Sequence, residues 1–281
     1  MVPRVDDRRP FLAVLTALIA LAWLALWLWG RSPSGQFLSH DAVQTAGLAR
    51  VSEHEHATYG EEALHALAGH EHALGHRGPI LLLAIAGWTL MTTAMMLPTT
   101  LPLLALFHGL TRRRPDRYLL VALLIAGYLG VWALFGLIAH SGDLQLHALV
   151  ERIDWLAERA WLIAAAVVLG AGLYQFTPLK HRCLDRCRSP LSFIQSHWRG
   201  RRNRLAALRL GVHHGLFCVG CCWSLMLLMF SVGVGNLGWM LLLGAVMAAE
   251  KNLPWGRRLS APLGLLLLAW GAVMVAGGVT G

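Results

Sequence analysis

Three cysteines fall within five residues of the apolar stretch GLFCVGCCWSLMLLMF: Cys218, Cys221 and Cys222. In an α-helix, positions i, i+3 and i+4 share one face, so this spacing predicts that the three sulfurs converge, with Met226 one turn beyond Cys222. Thiolates and thioethers select Cu(I) above harder ions. The spacing therefore indicates a soft-metal site, and the alternative is that the cysteines pack as small hydrophobic side chains.

A second group of sulfur-bearing residues lies in WTLMTTAMMLPTTLP, where Met91 and Met95 share a helical face and Met96 is adjacent. Pro98 removes a backbone donor, and inside a bilayer such a break requires a neighbour or a cavity that satisfies the freed carbonyl. At ~1.5 Å per residue, Met91 and the cysteines of residues 218–222 lie at similar depth, near the midplane of a ~30 Å hydrocarbon core. We expect one shared site, although methionine is also a common gap filler.

Two further cysteines, Cys183 and Cys187, stand one helical turn apart in the basic segment YQFTPLKHRCLDRCRSP. Neighbouring basic side chains favour the thiolate form, which is the metal-binding form of cysteine. The pair is therefore a candidate for handing metal on or for sensing it. The alternative is a pair of solvent-exposed thiols without a role.

Half of the 14 histidines of the chain fall in residues 31–78, a long polar connection. Six of them have short chelating or helical spacings: His54, His56, His65, His70, His72 and His76. Imidazole suits Cu(II) and Zn, so the segment predicts an exterior collector of divalent metal. Because histidine-rich assignments are compositional, a solvated low-complexity tract is the alternative.

The composition indicates a membrane protein. Of the 281 residues, 56% are hydrophobic and only 14% are charged, which is typical of a polytopic all-α protein. Seven apolar segments predict about seven transmembrane helices, or six if the first or the short sixth does not span: about Phe11–Gly30, Ile80–Phe107, Tyr118–Ala139, Trp161–Thr177, Leu210–Val232, Leu237–Ala249 and Ala261–Gly278. We expect a signal-anchor helix over residues 1–30, the exterior His-rich loop over 31–78 and a helical membrane domain over 79–281.

The basic residues predict the orientation. Every second connection between the apolar segments carries lysine and arginine, including Arg112–Arg114, Lys180, Arg199–Arg202 and Lys251. By the positive-inside rule the N-terminus is then cytoplasmic and the C-terminus exterior. Because membrane orientation already explains the formal charge of +9, we expect no nucleic acid as a partner.

Several absent motifs bear on the mechanism. The sequence has no G-x-x-x-x-G-K-[ST] phosphate-binding loop, and its connections are too short for an ATP-hydrolysing domain. No nucleophile with a base and no carboxylate dyad stands out. We therefore expect a protein that is not an enzyme.

Several strings together resemble the bacterial family of predicted metal-binding integral membrane proteins, a domain of unknown function of which some members are labelled copper chaperones. They are TAMMLP, TPLK-HRCLDRCRSP, CVGCCWSLM and the pair Glu250-Lys251, and the resemblance covers roughly residues 80–278. It implies a multi-span inner-membrane protein that handles metal. Carried onto this chain, the positions of the family motifs are Met95, Met96, Pro98, Cys183, Cys187, Cys218, Cys221, Cys222 and Glu250. Gly235 stands where this pattern usually has a methionine.

The resulting hypothesis is a copper-handling protein of the bacterial inner membrane. The His-rich segment would bind Cu(II) or Zn, and the Met/Cys site would hold Cu(I) for delivery or translocation. The partners would be the lipid bilayer and another membrane or periplasmic metalloprotein. The alternative is a membrane assembly or interaction subunit without bound metal, which could be thiol-redox active through Cys183 and Cys187.

Overall fold

The computed structural model describes residues 8–31, 62–150, 152–159, 161–198, 204–232 and 236–280. These ranges contain ten α-helices, one 3₁₀-helix and no β-strand, which confirms the all-α prediction. The helices are α1 (Arg8–Arg31), α2 (Glu62–Leu110), α3 (Arg117–Val150), α4 (Asp154–Ala157), α5 (Trp161–Tyr174), α6 (Pro178–Arg188), α7 (Pro190–His197), α8 (Arg204–Val232), α9 (Leu237–Asn252) and α10 (Ser260–Thr280), and the 3₁₀-helix is Gly256–Leu259.

Five helices are long and apolar enough to cross a membrane, namely α1, α2, α3, α8 and α10. The pair α5 and α6 passes the same test together but bends by 63° between its two helices, so the described part of the chain holds up to six spans. The 16 residues of α9 extend about 24 Å, less than the ~30 Å of a hydrocarbon core. The described residues therefore hold five or six candidate spans, which agrees with the predicted alternative of six in which the short sixth segment does not cross.

The proline in α2 has a partner for the carbonyl that it frees. Pro98 has no N–H to donate to Ala94, four residues earlier, so the Ala94 carbonyl lacks its helical hydrogen bond. The indole Nε1 of Trp23, in α1, donates to this carbonyl at 3.1 Å. Because a neighbouring helix supplies the donor, α2 continues through the proline as far as Leu110.

Glycines let α3 and α8 approach closely. A Cβ at Gly127 would collide with the Leu208 carbonyl, and one at Gly211 would collide with the Leu124 carbonyl. Small residues permit such backbone contact between helices, which strengthens packing where no water is present to drive association. This contact fixes the rotation of α8 and thereby the direction in which its cysteines point.

The break between α5 and α6 is set by local sequence. Thr177 is the N-cap of α6 and its side chain accepts a hydrogen bond from the Lys180 backbone N–H at 3.3 Å. Pro178 follows at the start of the helix, where its missing N–H costs nothing. The cap therefore starts the short helix that carries Lys180, Cys183 and Cys187.

Candidate metal centre

Four buried sulfur side chains come together between α2 and α8. The sulfur cluster, as we define it, consists of Met96 of α2 and Cys218, Cys221 and Cys222 of α8. Each of these residues is at most 1% exposed, and all of them belong to one hydrophobic core. The structure therefore joins the two sulfur groups that the sequence predicts at equal depth.

One thiol and one thioether lie at the separation that a shared metal ion requires. The Cys222 Sγ is 3.9 Å from the Met96 Sδ. A thiolate sulfur lies about 2.3 Å from a bound zinc ion, so two sulfurs on an ion of similar size lie roughly 3.8–4.6 Å apart. The two sulfur atoms fit a common soft ion without a movement of the helices.

The three thiols of the cluster do not form a metal site by themselves. Cys221 and Cys222 both donate their thiol hydrogens to the Cys218 carbonyl, at 3.1 Å and 2.9 Å. Within the ranges that the structure describes, no three His, Cys, Asp or Glu side chains are placed so that they could hold one metal ion. The methionine sulfur adds a further soft donor beside these thiols.

A lysine ammonium enters the sulfur cluster. Lys251 of α9 is buried, and its Nζ lies 2.9 Å from the Cys218 Sγ, 3.8 Å from the Cys222 Sγ and 3.9 Å from the Met96 Sδ. The sequence pattern places Lys251 among the charges of a basic connection, whereas the structure buries its side chain. The reason is that polar and sulfur acceptors in the core replace the water that its ammonium would otherwise need.

Two hydroxyl groups complete the surroundings of the ammonium and of Cys218. The Lys251 Nζ donates to the Thr99 Oγ1 at 3.3 Å, and the Thr99 hydroxyl donates in turn to the Met96 carbonyl at 2.7 Å. The Tyr128 hydroxyl lies 3.0 Å from the Cys218 Sγ. It also donates to the Met96 carbonyl at 3.4 Å, so both hydroxyls connect the sulfur cluster to the backbone of α2.

The two cysteines of α6 belong to the same region. Cys183 is buried, Cys187 is half-buried, and both pack with the core that contains the sulfur cluster. The Cys187 thiol interacts with that of Cys221. Cys183 lies against α8 at Gly220. A Cβ at Gly220 would lie only 2.7 Å from the Cys183 Sγ, so glycine leaves the space that this thiol occupies. The sequence suggests two separate thiol sites, whereas the structure brings all five cysteines of the chain together.

The remaining predicted methionines line the same core at different positions. Met91, Met95 and Met226 are each at most 2% exposed and share the core with the sulfur cluster. Met95 faces α9, where its side chain would lie 3.7 Å from a Cβ at Gly244. Met96 is the candidate methionine whose sulfur lies next to a thiol, 3.9 Å from the Cys222 Sγ.

A buried ion pair lies next to the cluster. The Lys180 Nζ is 2.8 Å from the Glu250 Oε1, and both side chains are almost completely buried, at 0% and 2% exposure. Gln175 accepts a further hydrogen bond from Lys180, and the Ser260 hydroxyl donates to Glu250 at 2.7 Å. The sequence pattern also places Lys180 among the charges of a basic connection, whereas its side chain is buried because a carboxylate in the core pairs with it.

Arg188 binds the C-terminal end of α9. Its guanidinium donates to the carbonyls of Glu250, Leu253 and Pro254, the last two at 2.7 Å and 2.9 Å. Carbonyls at a helix C-terminus lack helical partners and attract positive charge. Arg188 therefore fixes the end of α9 from which Glu250 and Lys251 reach into the core.

The histidine segment is described only in part. His54 and His56 lie outside the described residues, while His65, His70, His72 and His76 lie on helical backbone at the start of α2. The second half of the predicted loop is thus continuous with the helix that carries Met96. The metal-binding role of these histidines stays a prediction.

Lys251, Lys180 and Tyr128 are the site residues that the sequence reasoning missed. The available signal was the pair Glu250-Lys251 at the end of an apolar run, together with Lys180 three residues after a cap. The same pattern is typical of ordinary residues at a membrane interface. Only their partners in the core distinguish the two cases.

Comparison with known proteins bears on the identity of the chain. Residues 85–274 match the model of the family PpoB2, described as "Copper chaperone", which covers more than half of the chain and the whole sulfur cluster. No curated protein and no solved structure gives a significant match. The matched region includes every residue of the sulfur cluster and both buried lysines, Lys180 and Lys251. The chain therefore belongs to the PpoB2 family of copper chaperones.

Proposed function

We propose that this protein holds Cu(I) as its cargo inside a bacterial inner membrane and passes the ion to another membrane or periplasmic metalloprotein. The observation that carries the proposal is the buried sulfur cluster with the Cys222 and Met96 sulfurs 3.9 Å apart. Soft thiolate and thioether ligands select Cu(I). Burial of every donor keeps water, and with it harder ions and their hydration shells, away from the ion.

The thiols offer a route for the ion towards one end of the bundle. Cys222 and Cys218 are buried, Cys221 is next to them, and Cys187 interacts with Cys221 while itself remaining partly exposed. Transfer from one sulfur to the next lets a metal ion move without an intermediate in which it has lost all its ligands. We propose that the cargo enters or leaves through Cys187.

The His-rich segment has a separate place in this proposal. His54, His56, His65, His70, His72 and His76 would collect Cu(II) or Zn on the exterior side, because imidazole is a good ligand for both ions. Cu(II) would have to be reduced before it enters the sulfur cluster. We propose that a partner supplies the electron, and that the protein itself binds and delivers its cargo without catalysing a reaction.

Copper stoichiometry of purified variants tests the sulfur cluster. Cys222→Ser and Met96→Leu should each lower the copper content after loading with Cu(I) under reducing conditions, and the double variant should bind almost none. Leucine preserves the apolar volume of methionine, so Met96→Leu should cost less than ~1.5 kcal/mol in stability. Elemental mass spectrometry gives the copper content, and thermal unfolding gives the stability.

Met240→Leu is the matched control, because Met240 is equally buried in the same core but is no member of the sulfur cluster. It should retain full copper. The competing proposal, an assembly subunit in which sulfur side chains only pack, expects no copper in the unaltered protein and no difference between the two leucine variants. Full copper retention in the Cys222→Ser, Met96→Leu double variant would exclude the site.

A further inference from the structure

The Lys251 ammonium lies where a bound cation would lie. Its Nζ has three sulfur atoms and one oxygen atom around it, at 2.9–3.9 Å, from Cys218, Cys222, Met96 and Thr99. The sulfur and oxygen atoms belong to two helices, α2 and α8, whereas Lys251 belongs to a third helix, α9. The ammonium is thus surrounded by the same atoms that would ligate a soft metal ion.

Lys251 has no carboxylate partner in the described part of the chain: none of the ion pairs found there within 4.0 Å includes it. Lys180, which is also buried, is paired with Glu250. A buried charge without a counter-charge is strongly disfavoured unless its surroundings stabilise it. For Lys251 the stabilising groups are the sulfur cluster and Thr99, so this cluster is built to hold one positive charge.

We propose that the Lys251 ammonium is the resident cation of the empty sulfur cluster, and that a monovalent soft-metal ion enters by exchanging with it. This inference rests on the proposed function, because it concerns the same cluster. In the exchange, Cys218 binds the ion as the thiolate whose charge the ammonium already neutralises, while Cys222 keeps its S–H proton and binds, like Met96, through a neutral sulfur. These metal–sulfur bonds form, and the hydrogen bonds from the Lys251 Nζ break. One positive charge enters and one leaves, so no electron is transferred and Nζ keeps its protons.

Because Lys251 lies near the end of α9, its displaced ammonium can move from the sulfur cluster into the polar layer. Lys251 is the penultimate residue of α9, and the next residue, Asn252, is exposed. A lysine near a helix end can extend its four-carbon stem along apolar surface and place its ammonium in the polar layer. The side chain can therefore leave the cluster by rotation of its own bonds while Arg188 keeps the helix end in place.

Exchange with an internal cation has a consequence for delivery. The returning ammonium competes with the metal ion, which lowers the affinity of the cluster and speeds release. A divalent ion is disfavoured further, because it would add a second positive charge to the same low-dielectric site. Lys251 would thus make the site selective for monovalent ions and keep its cargo exchangeable.

The test compares Cu(I) binding by the full chain and by Lys251→Leu, in competition with a chromophoric Cu(I) chelator. The Lys251→Leu variant lacks the ammonium that competes with the metal ion for the sulfur atoms. Its affinity for Cu(I) should therefore be roughly ten- to a hundredfold higher, and its release of Cu(I) to the chelator slower by a similar factor. Ag(I), a monovalent ion that does not change oxidation state under these conditions, should show the same increase. Lys251→Gln serves as a second neutral variant if the leucine variant is unstable.

Two controls separate the exchange from other effects of charge. Arg258→Leu removes a positive charge from an exposed position near the same end of the bundle and should leave the affinity unchanged. Lys251→Arg retains the charge and should not bind more tightly than the unaltered protein. Thermal unfolding of each variant reports whether the fold is intact.

The outcomes distinguish this inference from the proposed function. If the unaltered protein binds Cu(I) and the neutral variants bind it equally or more weakly, the exchange is wrong while copper binding stands. Weaker binding restored by Lys251→Arg would show that the lysine is a counter-ion of the loaded site. If neither the unaltered protein nor the neutral variants bind copper, both proposals fail.

Discussion

Glu250 and Lys251 are neighbours in the sequence, yet their side chains enter two different buried sites. Glu250 accepts hydrogen bonds from Lys180 at 2.8 Å and 3.0 Å, while Lys251 donates to Cys218 at 2.9 Å. Consecutive residues of a helix point about 100° apart, so the last turn of α9 can serve both sites. The ion pair therefore fixes the rotation of α9, and with it the position of the ammonium in the sulfur cluster.

Breaking the buried ion pair should destabilise the protein strongly. Glu250→Gln keeps the shape of the side chain but leaves the Lys180 charge without its partner, which should lower the free energy of unfolding by about 3–5 kcal/mol. The double variant Glu250→Gln, Lys180→Met should recover part of the loss, because no uncompensated charge remains. Unfolding in detergent or lipid, followed by circular dichroism, provides the measurement.

The exposed ion pair between Asp185 and Arg257 is the control for this prediction. Its atoms are 3.1 Å apart, but the two side chains are 48% and 56% exposed. Asp185→Asn should cost at most about 1 kcal/mol, because solvent screens exposed pairs. Similar losses from Asp185→Asn and Glu250→Gln would contradict the role given to burial.

The close contact of α3 and α8 should not tolerate a methyl group. Gly127→Ala places a Cβ against the Leu208 carbonyl and within 3.0 Å of the Val212 backbone nitrogen. The helices must separate, and we expect a loss of roughly 1–3 kcal/mol. Since separation also moves the cysteines of α8, copper content should fall with stability.

Gly130→Ala is the matched control within the same helix. A Cβ at Gly130 meets no atom within 4 Å, and alanine is a better helix former than glycine by about 1 kcal/mol. The change should be neutral or stabilising when measured by thermal unfolding. An equal loss of stability from both alanine variants would show that the helix contact is not the cause.

The partly exposed thiol of Cys187 should control the rate at which copper is exchanged but not the amount of copper that is bound. Cys187→Ser removes the sulfur that links Cys221 to the surface, so copper content should remain while release to a Cu(I) chelator slows by about tenfold or more. Stopped-flow absorbance of the chelator complex measures the rate. Cys183→Ser, one turn away and buried, should leave the rate unchanged, and equal slowing by both variants would argue against the route.

The orientation in the membrane can be tested at two exposed connections on opposite sides of α3. The positive-inside rule places Arg113 in the cytoplasm and Asp154 outside, and both residues are exposed. A membrane-impermeant thiol reagent should label Asp154→Cys in intact cells and Arg113→Cys only after the cells are opened. The opposite pattern would reverse the topology.

The histidine segment should bind divalent metal independently of the sulfur cluster. Replacement of His54, His56, His65, His70, His72 and His76 by glutamine should weaken Zn binding by at least about tenfold, because amides are poor ligands for zinc. Cu(I) stoichiometry should be unaffected. Isothermal titration with Zn measures the first effect, and unchanged Zn affinity would remove the collector role.

The sequence by itself determined the helical class and the pairing of the two sulfur groups. Apolar segments of membrane length, interrupted by basic connections, allow few structures other than a helical bundle. The spacing of Cys218, Cys221 and Cys222 and the common depth of the methionine segment depend only on the rise and periodicity of a helix. Pro98 likewise indicated a carbonyl in need of a donor, which Trp23 supplies.

Tertiary structure decided which residues meet. Helical periodicity gives the angle between residues within one helix, but the rotation of each helix about its axis follows from long-range packing such as that of Gly127 on α8. For this reason the methionine sulfur 3.9 Å from the Cys222 Sγ is that of Met96. The burial of Lys180 and Lys251 was decided in the same way. A lysine at a helix end is exposed to solvent or buried according to the hydrogen-bond acceptors that distant segments of the chain bring to it.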